Sequence, residues 1–243
     1  PGFAVGDAAS GYAASSRGIA AVDEVIAVGR VAGIPTILTH VKALGPFVWG
    51  YGAAIVRRVE RAREEGVQVF ADQYPYTATA TGLGAALLPL WYQAGGQDSL
   101  LARMARPADM VRIREAMVQT LARRGGAERI QFRRYRPNPS IEGRLMCELA
   151  EELGRDTLDV SIDLLREGSV SIVSFNMDDG DVETLMAQPW TMTSSDGDLV
   201  PWNEGVPHPR SYGAFPRKIG LYVMETGTIT MEGKGRDLLG DPA

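Results

Sequence analysis

Apolar residues recur at helical spacing between Ile19 and Ala32, with Ile19, Val22, Val25, Ile26 and Gly29 on one face, and Gly33-Ile34-Pro35 stops the run. The next residues, Thr36-Ile37-Leu38-Thr39, form an uninterrupted run that leads into His40. Such a run, buried on both faces, suits a strand of a parallel sheet. After the Gly45-Pro46 turn the same order returns. Tyr51 to Glu65 carries Ile55, Val59 and Ala62 on one face and Arg and Glu on the other, Gly66 ends it, and Val67 to Tyr74 reads as the next strand. Helices alternating with buried strands predict βαβ units and a parallel sheet.

The cadence is interrupted at about 77–128, a stretch too long for a simple connection. A Gly/Ala/Leu loop, a Pro89-Leu90-Trp91 corner and two helical patterns, Ser99 to Ala105 and Ala108 to Arg124, predict a helical insertion there. A short strand at Arg129 to Arg133 follows. Helices come next, through Leu145, Leu149 and Leu153 and then from Thr157, a candidate N-cap, to Arg166. Ser169 to Phe175 reads as a further buried strand, Asp178 to Met186 as a short acidic helix, and Trp190 to Ser195 as the last strand. The first eighteen residues, small and Gly-rich, read as an irregular lead-in. No linker marks a boundary, so one domain over 1–243 is expected.

Composition narrows the function classes. The chain is 45% hydrophobic and 23% charged, ordinary for a globular protein, and its net charge of -5, from 25 basic and 30 acidic residues, argues against a nucleic-acid partner. The longest apolar run, around Gly82 to Trp91, is about half of what a membrane-spanning helix needs, so no membrane partner is expected. Cys147 is the single cysteine and allows no internal disulfide, which suits a reducing compartment and sets the cytoplasm as the expected location. Pro1 opens the chain without the charged and apolar regions of a leader, and the natural start is expected to lie upstream.

Four polar clusters fall at the ends of the clearer strands, where loops of parallel α/β folds converge on ligands. They are Thr39-His40-Val41-Lys42, Asp72-Gln73-Tyr74-Pro75-Tyr76, Ser174-Phe175-Asn176 and Ser194-Ser195-Asp196-Gly197. His40 stands out because the chain has only two histidines and this one ends a buried strand; the plainer reading is a core histidine bonded to a carbonyl. Asp196 is a general base or metal ligand on one reading and a turn residue before Gly197 on the other. The long loop after it carries His208 between two prolines, Arg210 and Arg217. His208 aims an imidazole or shapes the loop, and Arg210 clamps a carboxylate bidentately or is a surface arginine. Tyr74 and Tyr76 alternate across a strand end, Asp72 is a structural acceptor or a catalytic group, and Cys147 falls on an apolar helical face.

Taken together, THVKALGPFVWG, ADQYPYTATATGLGAALLPLW, IVSFNM and TSSDG followed by PHPRSYGAFPRKIG resemble the N-acyl-D-amino-acid deacylase (D-aminoacylase) family of the amidohydrolase superfamily, in unbroken order from about Gly18 to about Val223. The resemblance implies an α/β fold, a partial TIM-like (β/α)8 barrel of approximately strands five to eight with the helical insertion at about 77–128. It implies zinc, one or two ions, and a small-molecule N-acyl-D-amino acid as substrate. His40 matches the metal-ligating histidine that ends the fifth barrel strand. Asp196 matches the aspartate ending the eighth, general base towards the hydrolytic water and then proton donor to the leaving amine. Arg210 and Tyr212 are implied contacts for the substrate carboxylate, with Lys42 and Tyr76 in the same pocket.

The departures from the family pattern bear on the same question. The sequence holds no His-x-His pair, Cys147 is misplaced for the family's cysteine ligand, and no histidine lies between His40 and His208. The segment from Gly227 to Ala243 does not continue into the family's usual end. The simplest expectation is a C-terminal half barrel, inactive alone. A non-catalytic α/β binding or assembly domain that lost its metal site, and a hydantoinase-like or dihydroorotase-like hydrolase of cyclic amides, remain open beside it.

Overall fold

The computed structural model describes residues 16–201 and 204–230. The chain groups into two compact units, one formed by Pro1–Thr77, Met177–Leu199 and Pro209–Ala243 and the other by Ala78–Asn176 and Val200–His208.

The first unit opens with α1 (Ser16–Ala32), β1 (Thr36–Leu38), α2 (Gly52–Glu64) and β2 (Val69–Gln73). Gly33 (φ 64°) and Gly66 (φ 86°) end the two helices in left-handed backbone, which lets a strand begin within three residues of each. The second unit follows with β3 (Thr79–Gly82), α3 (Leu83–Leu87), α4 (Leu90–Gln93), α5 (Gly96–Met104), α6 (Pro107–Arg123), β4 (Ile130–Arg134), α7 (Met146–Glu152), α8 (Thr157–Glu167) and β5 (Ser171–Ser174). The first unit resumes with α9 (Asp179–Met186), β6 (Thr191–Thr193) and α10 (Arg210–Arg217), which runs into π-helical turns over Lys218–Glu225.

In the first unit β1, β2 and β6 form a parallel sheet in that order, with Leu38 beside Ala71 and Ala71 beside Thr191. Side chains alternate across it. Leu38, Val69 and Ala71 are buried in one apolar cluster with Val22 and Val25 of α1 and Val59 of α2. Each of these Val and Leu side chains removed from water is worth roughly 1.5–3 kcal/mol. Ile37, Phe70, Asp72 and Met192, at the alternate positions, are half-buried. Asp181 of α9 ties this unit to the start of α2: Gly50 N–H donates to its Oδ2 at 2.8 Å and Gly52 N–H to its Oδ1 at 2.6 Å. Burial pushes the Asp181 carboxyl above the usual carboxylate value, the two amides opposing it.

The second unit carries the main corrections to the sequence reading. Ser169 to Phe175, expected as another strand of the parallel sheet, contains β5, which is antiparallel to both β3 and β4 and lies between them. A central strand is buried on both faces whether its neighbours run with it or against it, so the hydrophobic run carried no sign of direction. The insertion is not confined to helices at 77–128. It runs from Ala78 to Asn176 with a three-stranded sheet of its own, around a core that includes Ile130, Phe132 and Ile172. β3 went unread because Thr-Ala-Thr-Gly is small and sits beside Gly and Ala, a composition that reads as loop.

Smaller differences are local. Asp156, not Thr157, caps α8, its side chain accepting from Leu158 N–H and Asp159 N–H. Cys147 is half-buried rather than core. The long loop expected after Asp196 holds α10, hidden in the sequence by Pro209, Gly213 and Pro216. Most of the lead-in, up to residue 15, and the closing residues 231–243 lie outside the described residues. Among the described residues no helix is long and apolar enough to cross a membrane.

Candidate active site

Of the candidates, His40, Lys42, Asp72, Tyr74, Tyr76, Asp196, Arg210, Tyr212 and Arg217 lie in the first unit, whereas His208, Cys147 and the Ser174-Phe175-Asn176 cluster fall in the second. β1 delivers His40 two residues past its end, and β6 delivers Asp196 three residues past its end, on either side of β2. Both have left-handed backbone, φ 43° for His40 and 46° for Asp196, and they are the only non-glycine residues with positive φ among those described. His and Asp tolerate that region better than most residues, yet it costs about 1–3 kcal/mol and persists only where the surroundings impose it.

The polar contacts around them are dense. The Lys42 ammonium donates to His40 Nδ1 at 2.7 Å and to His40 O at 2.9 Å, although Lys42 is only 5% exposed. Arg210, the first residue of α10, forms an ion pair with Asp196 at 2.7 Å and is itself 7% exposed. Both cations lie on the ring of Tyr74, Lys42 at 5.6 Å and Arg210 at 4.7 Å from its centroid. Tyr74 is buried and its hydroxyl faces Met177 Sδ at 3.9 Å. Thus Tyr74 packs and Tyr76, half-buried, lies towards the surface, where its hydroxyl donates to Pro209 O at 3.3 Å. Arg217 stacks on Tyr76 at 5.0 Å and donates to Pro75 O at 2.8 Å. Desolvation raises the Tyr76 hydroxyl pKa and Arg217 pulls against it. Tyr212 sits on α10, 49% exposed.

Asp72, in the middle strand, accepts from His40 N–H at 2.9 Å and from the Ser194 hydroxyl at 2.6 Å through the same oxygen, Oδ1. It was weighed in the sequence as an acceptor or a catalytic group, and the geometry makes it an acceptor. Ser194 was read only as part of a polar strand-end cluster, without a role; its two-residue offset from Met192, which sits opposite Asp72, was the signal that it shares that face. His208 is 1% exposed and its Nε2–H donates to Ala78 O at 2.9 Å, so within the second unit it ties the returning segment to the start of β3.

The side chains can be tested against a zinc site. His40 offers an imidazole and Asp196 a carboxylate, both donors that zinc accepts. Each of them has a cationic side chain at 2.7 Å in this structure. Among the described residues no three His, Cys, Asp or Glu side chains gather as a metal cage. The donor types therefore fit zinc as part of a ligand set and not as the whole of one.

A parallel sheet with an imidazole and a carboxylate at its strand ends and two cations beside them is an arrangement suited to hydrolytic chemistry at a metal. No protein-family model matches it. It is 32% identical over 213 residues to an N-acyl-D-glutamate deacylase of Alcaligenes xylosoxydans xylosoxydans, covering 88% of this chain and 35% of that protein. A D-aminoacylase of the same organism is 29% identical over 214 residues, again 88% of this chain and 35% of the relative. Among solved structures, the N-acyl-D-glutamate deacylase of Bordetella bronchiseptica, crystallised with zinc and a phosphonate mimic of the tetrahedral intermediate, aligns with a TM-score of 0.65 at 28% identity. That match takes in 89% of this chain and 37% of the other. A D-aminoacylase studied for its binuclear metal centre gives a TM-score of 0.66 at 26% identity, over 95% of this chain and 39% of the other. The chain is thus similar in sequence and structure to N-acyl-D-amino-acid deacylases and D-aminoacylases, and it spans little more than a third of the length of these relatives.

Proposed function

We propose that the complete protein carrying this chain is a zinc-dependent hydrolase that cleaves the amide bond of N-acyl-D-amino acids to a carboxylate and a free D-amino acid. The observation that carries the reading is the arrangement of His40 and Asp196 at the ends of two strands flanking β2, with Lys42 and Arg210 stacked on the single ring of Tyr74. Homologues named for this activity support it.

In this reading β1, β2 and β6 are the last three strands of a (β/α)8 barrel. With Asp196 closing the eighth strand and β5 assigned to the antiparallel sheet, His40 closes the sixth strand and not the fifth. His40 is then itself the further histidine whose absence the sequence suggested. The rest of the ligand set would be supplied by other parts of the complete protein.

His40 would hold zinc as one of several ligands, and the bound metal would supply polarisation of the scissile carbonyl and a water whose pKa is lowered towards about 7. Asp196 takes the proton of the attacking water and gives it to the amine nitrogen as the C–N bond breaks. Arg210 presents its fork to the carboxylate of the substrate, exchanging Asp196 for it, and Lys42 adds a second positive charge to the same subsite. Tyr76 and Tyr212 border that subsite.

The test is turnover by the complete zinc-loaded protein on N-acetyl-D-glutamate and N-acetyl-D-methionine. Release of free D-amino acid is expected, lowered about 10²–10⁴-fold in Asp196→Asn. A folded, zinc-loaded protein inert towards a panel of N-acyl-D-amino acids overturns the proposal.

A further inference from the structure

We propose that Asp72 is the positioning residue of this site, a single carboxylate that sets the aim of both His40 and Asp196 by holding the ends of the two outer strands. The inference rests on the reading above, in which His40 holds the metal and Asp196 moves the proton.

Asp72 stands on β2, the strand between β1 and β6, and so has both neighbouring strand ends within reach. Alternation places it on the half-buried face of the sheet while Gln73 turns into the packed one. Its Oδ1 takes two hydrogen bonds at once, from the peptide N–H of His40 at 2.9 Å and from the Ser194 hydroxyl at 2.6 Å. Backbone bonds brace the same joints: Val41 N–H donates to Asp72 O at 2.8 Å and Ser194 N–H to Gln73 O at 3.1 Å.

The grip falls where the backbone is strained. The peptide that Asp72 holds belongs to His40, whose φ is 43°, and Ser194 lies two residues before Asp196, whose φ is 46°. Left-handed backbone at a non-glycine residue relaxes unless something fixes it, and at His40 the fixing group is a charge-assisted bond to the N–H of that residue. Asp72 therefore acts through His40 and Asp196 without touching the reacting atoms. The geometry requires an acceptor of two hydrogen bonds, and an amide oxygen supplies that too, with weaker bonds than a carboxylate makes.

Asp72→Ala, Asp72→Asn and Ser194→Ala in the complete protein test this with two readouts. One is amide hydrogen exchange at His40 and Val41 in the metal-free protein; the other is affinity for zinc, with the visible spectrum of the cobalt-substituted site. Asp72→Ala is expected to speed exchange at His40 by about tenfold or more. It should also weaken metal binding by about 10–100-fold and alter the cobalt spectrum. Asp72→Asn should return all three towards wild type, and Ser194→Ala should leave His40 protected. Wild-type exchange and affinity in Asp72→Ala, or no rescue by Asn, overturns the proposal. If the wild-type protein binds no metal, the zinc reading falls by itself, and exchange at His40 still decides whether Asp72 holds that peptide.

Discussion

Asp181 and Gly52 allow a prediction whose size follows from the contacts. Asp181 is 4% exposed and its carboxylate is the acceptor for the N–H groups of Gly50 and Gly52. Asp181→Ala strands the Gly52 amide, which is buried at the first turn of α2, whereas the exposed Gly50 can turn to water. A buried donor left without its charged partner costs about 1.5–3 kcal/mol. Asp181→Asn keeps an oxygen for Gly52, and because burial already favours the uncharged form of Asp181 it should cost about 1 kcal/mol or less. Gly52→Ala checks the same contact from the other side. A helix interior prefers Ala to Gly by up to about 1 kcal/mol, but here a Cβ would meet Asp181 Oδ1 at 2.7 Å, so the substitution should destabilise. In the Asp181→Ala background the clash with Oδ1 is gone and the cost of Gly52→Ala should shrink. Urea unfolding at pH 7, followed by circular dichroism, reads all four variants against wild type. Equal midpoints for Asp181→Ala and Asp181→Asn, or a Gly52→Ala protein at least as stable as wild type, would refute the reasoning.

Other expectations follow from single contacts. The Tyr135 hydroxyl, 1% exposed, donates to Glu167 at 2.7 Å, and burial and that bond hold its pKa above the usual value of 10.0. The folded state keeps its proton where the unfolded chain loses it, so this contribution is full below pH 10 and is lost as pH rises through the folded pKa. Tyr135→Phe should flatten the alkaline limb of a stability–pH curve; an unchanged limb contradicts the assignment. Gln73 is buried with neither amide atom hydrogen-bonded among the described residues, so Gln73→Met should raise the urea midpoint of this chain or leave it unchanged, and a loss of more than about 1 kcal/mol would reveal a partner. Arg210→Lys in the complete protein should raise KM for N-acyl-D-amino acids more than it lowers kcat, because it keeps the charge and loses the fork. An unchanged KM removes Arg210 from the carboxylate subsite.

The elements of the first unit were legible because two signals coincide there. Apolar residues at helical spacing end at Gly33 and Gly66, and continuous apolar runs begin directly after them. The polar residues at the strand ends could be read for the same reason: once β1, β2 and β6 are placed, His40, Asp72 and Asp196 fall where loops converge. Strand direction was not legible. The run Ser171–Ser174 looks alike in either kind of sheet, and its pairing with Thr79–Gly82 is set by contacts across some ninety residues. The helix at Arg210–Arg217 was hidden by Pro216 and Gly213, which argue for loop locally and are overruled by the burial of Arg210 and Ala214. The chemistry of Asp72 is a matter of two donors converging on one oxygen from two strands, which a linear sequence does not display.

The central claim is the hydrolysis itself, with Asp196 moving the proton. Its most direct measurement is the release of free D-amino acid from N-acetyl-D-glutamate by the complete protein and by Asp196→Asn, both brought to equal zinc content, with N-acetyl-L-glutamate as the control. The account predicts turnover of the D-compound by wild type, at least about 100-fold less by Asp196→Asn, and little on the L-compound. Equal rates for the two proteins at equal zinc content, or no D-amino acid from either, would contradict it.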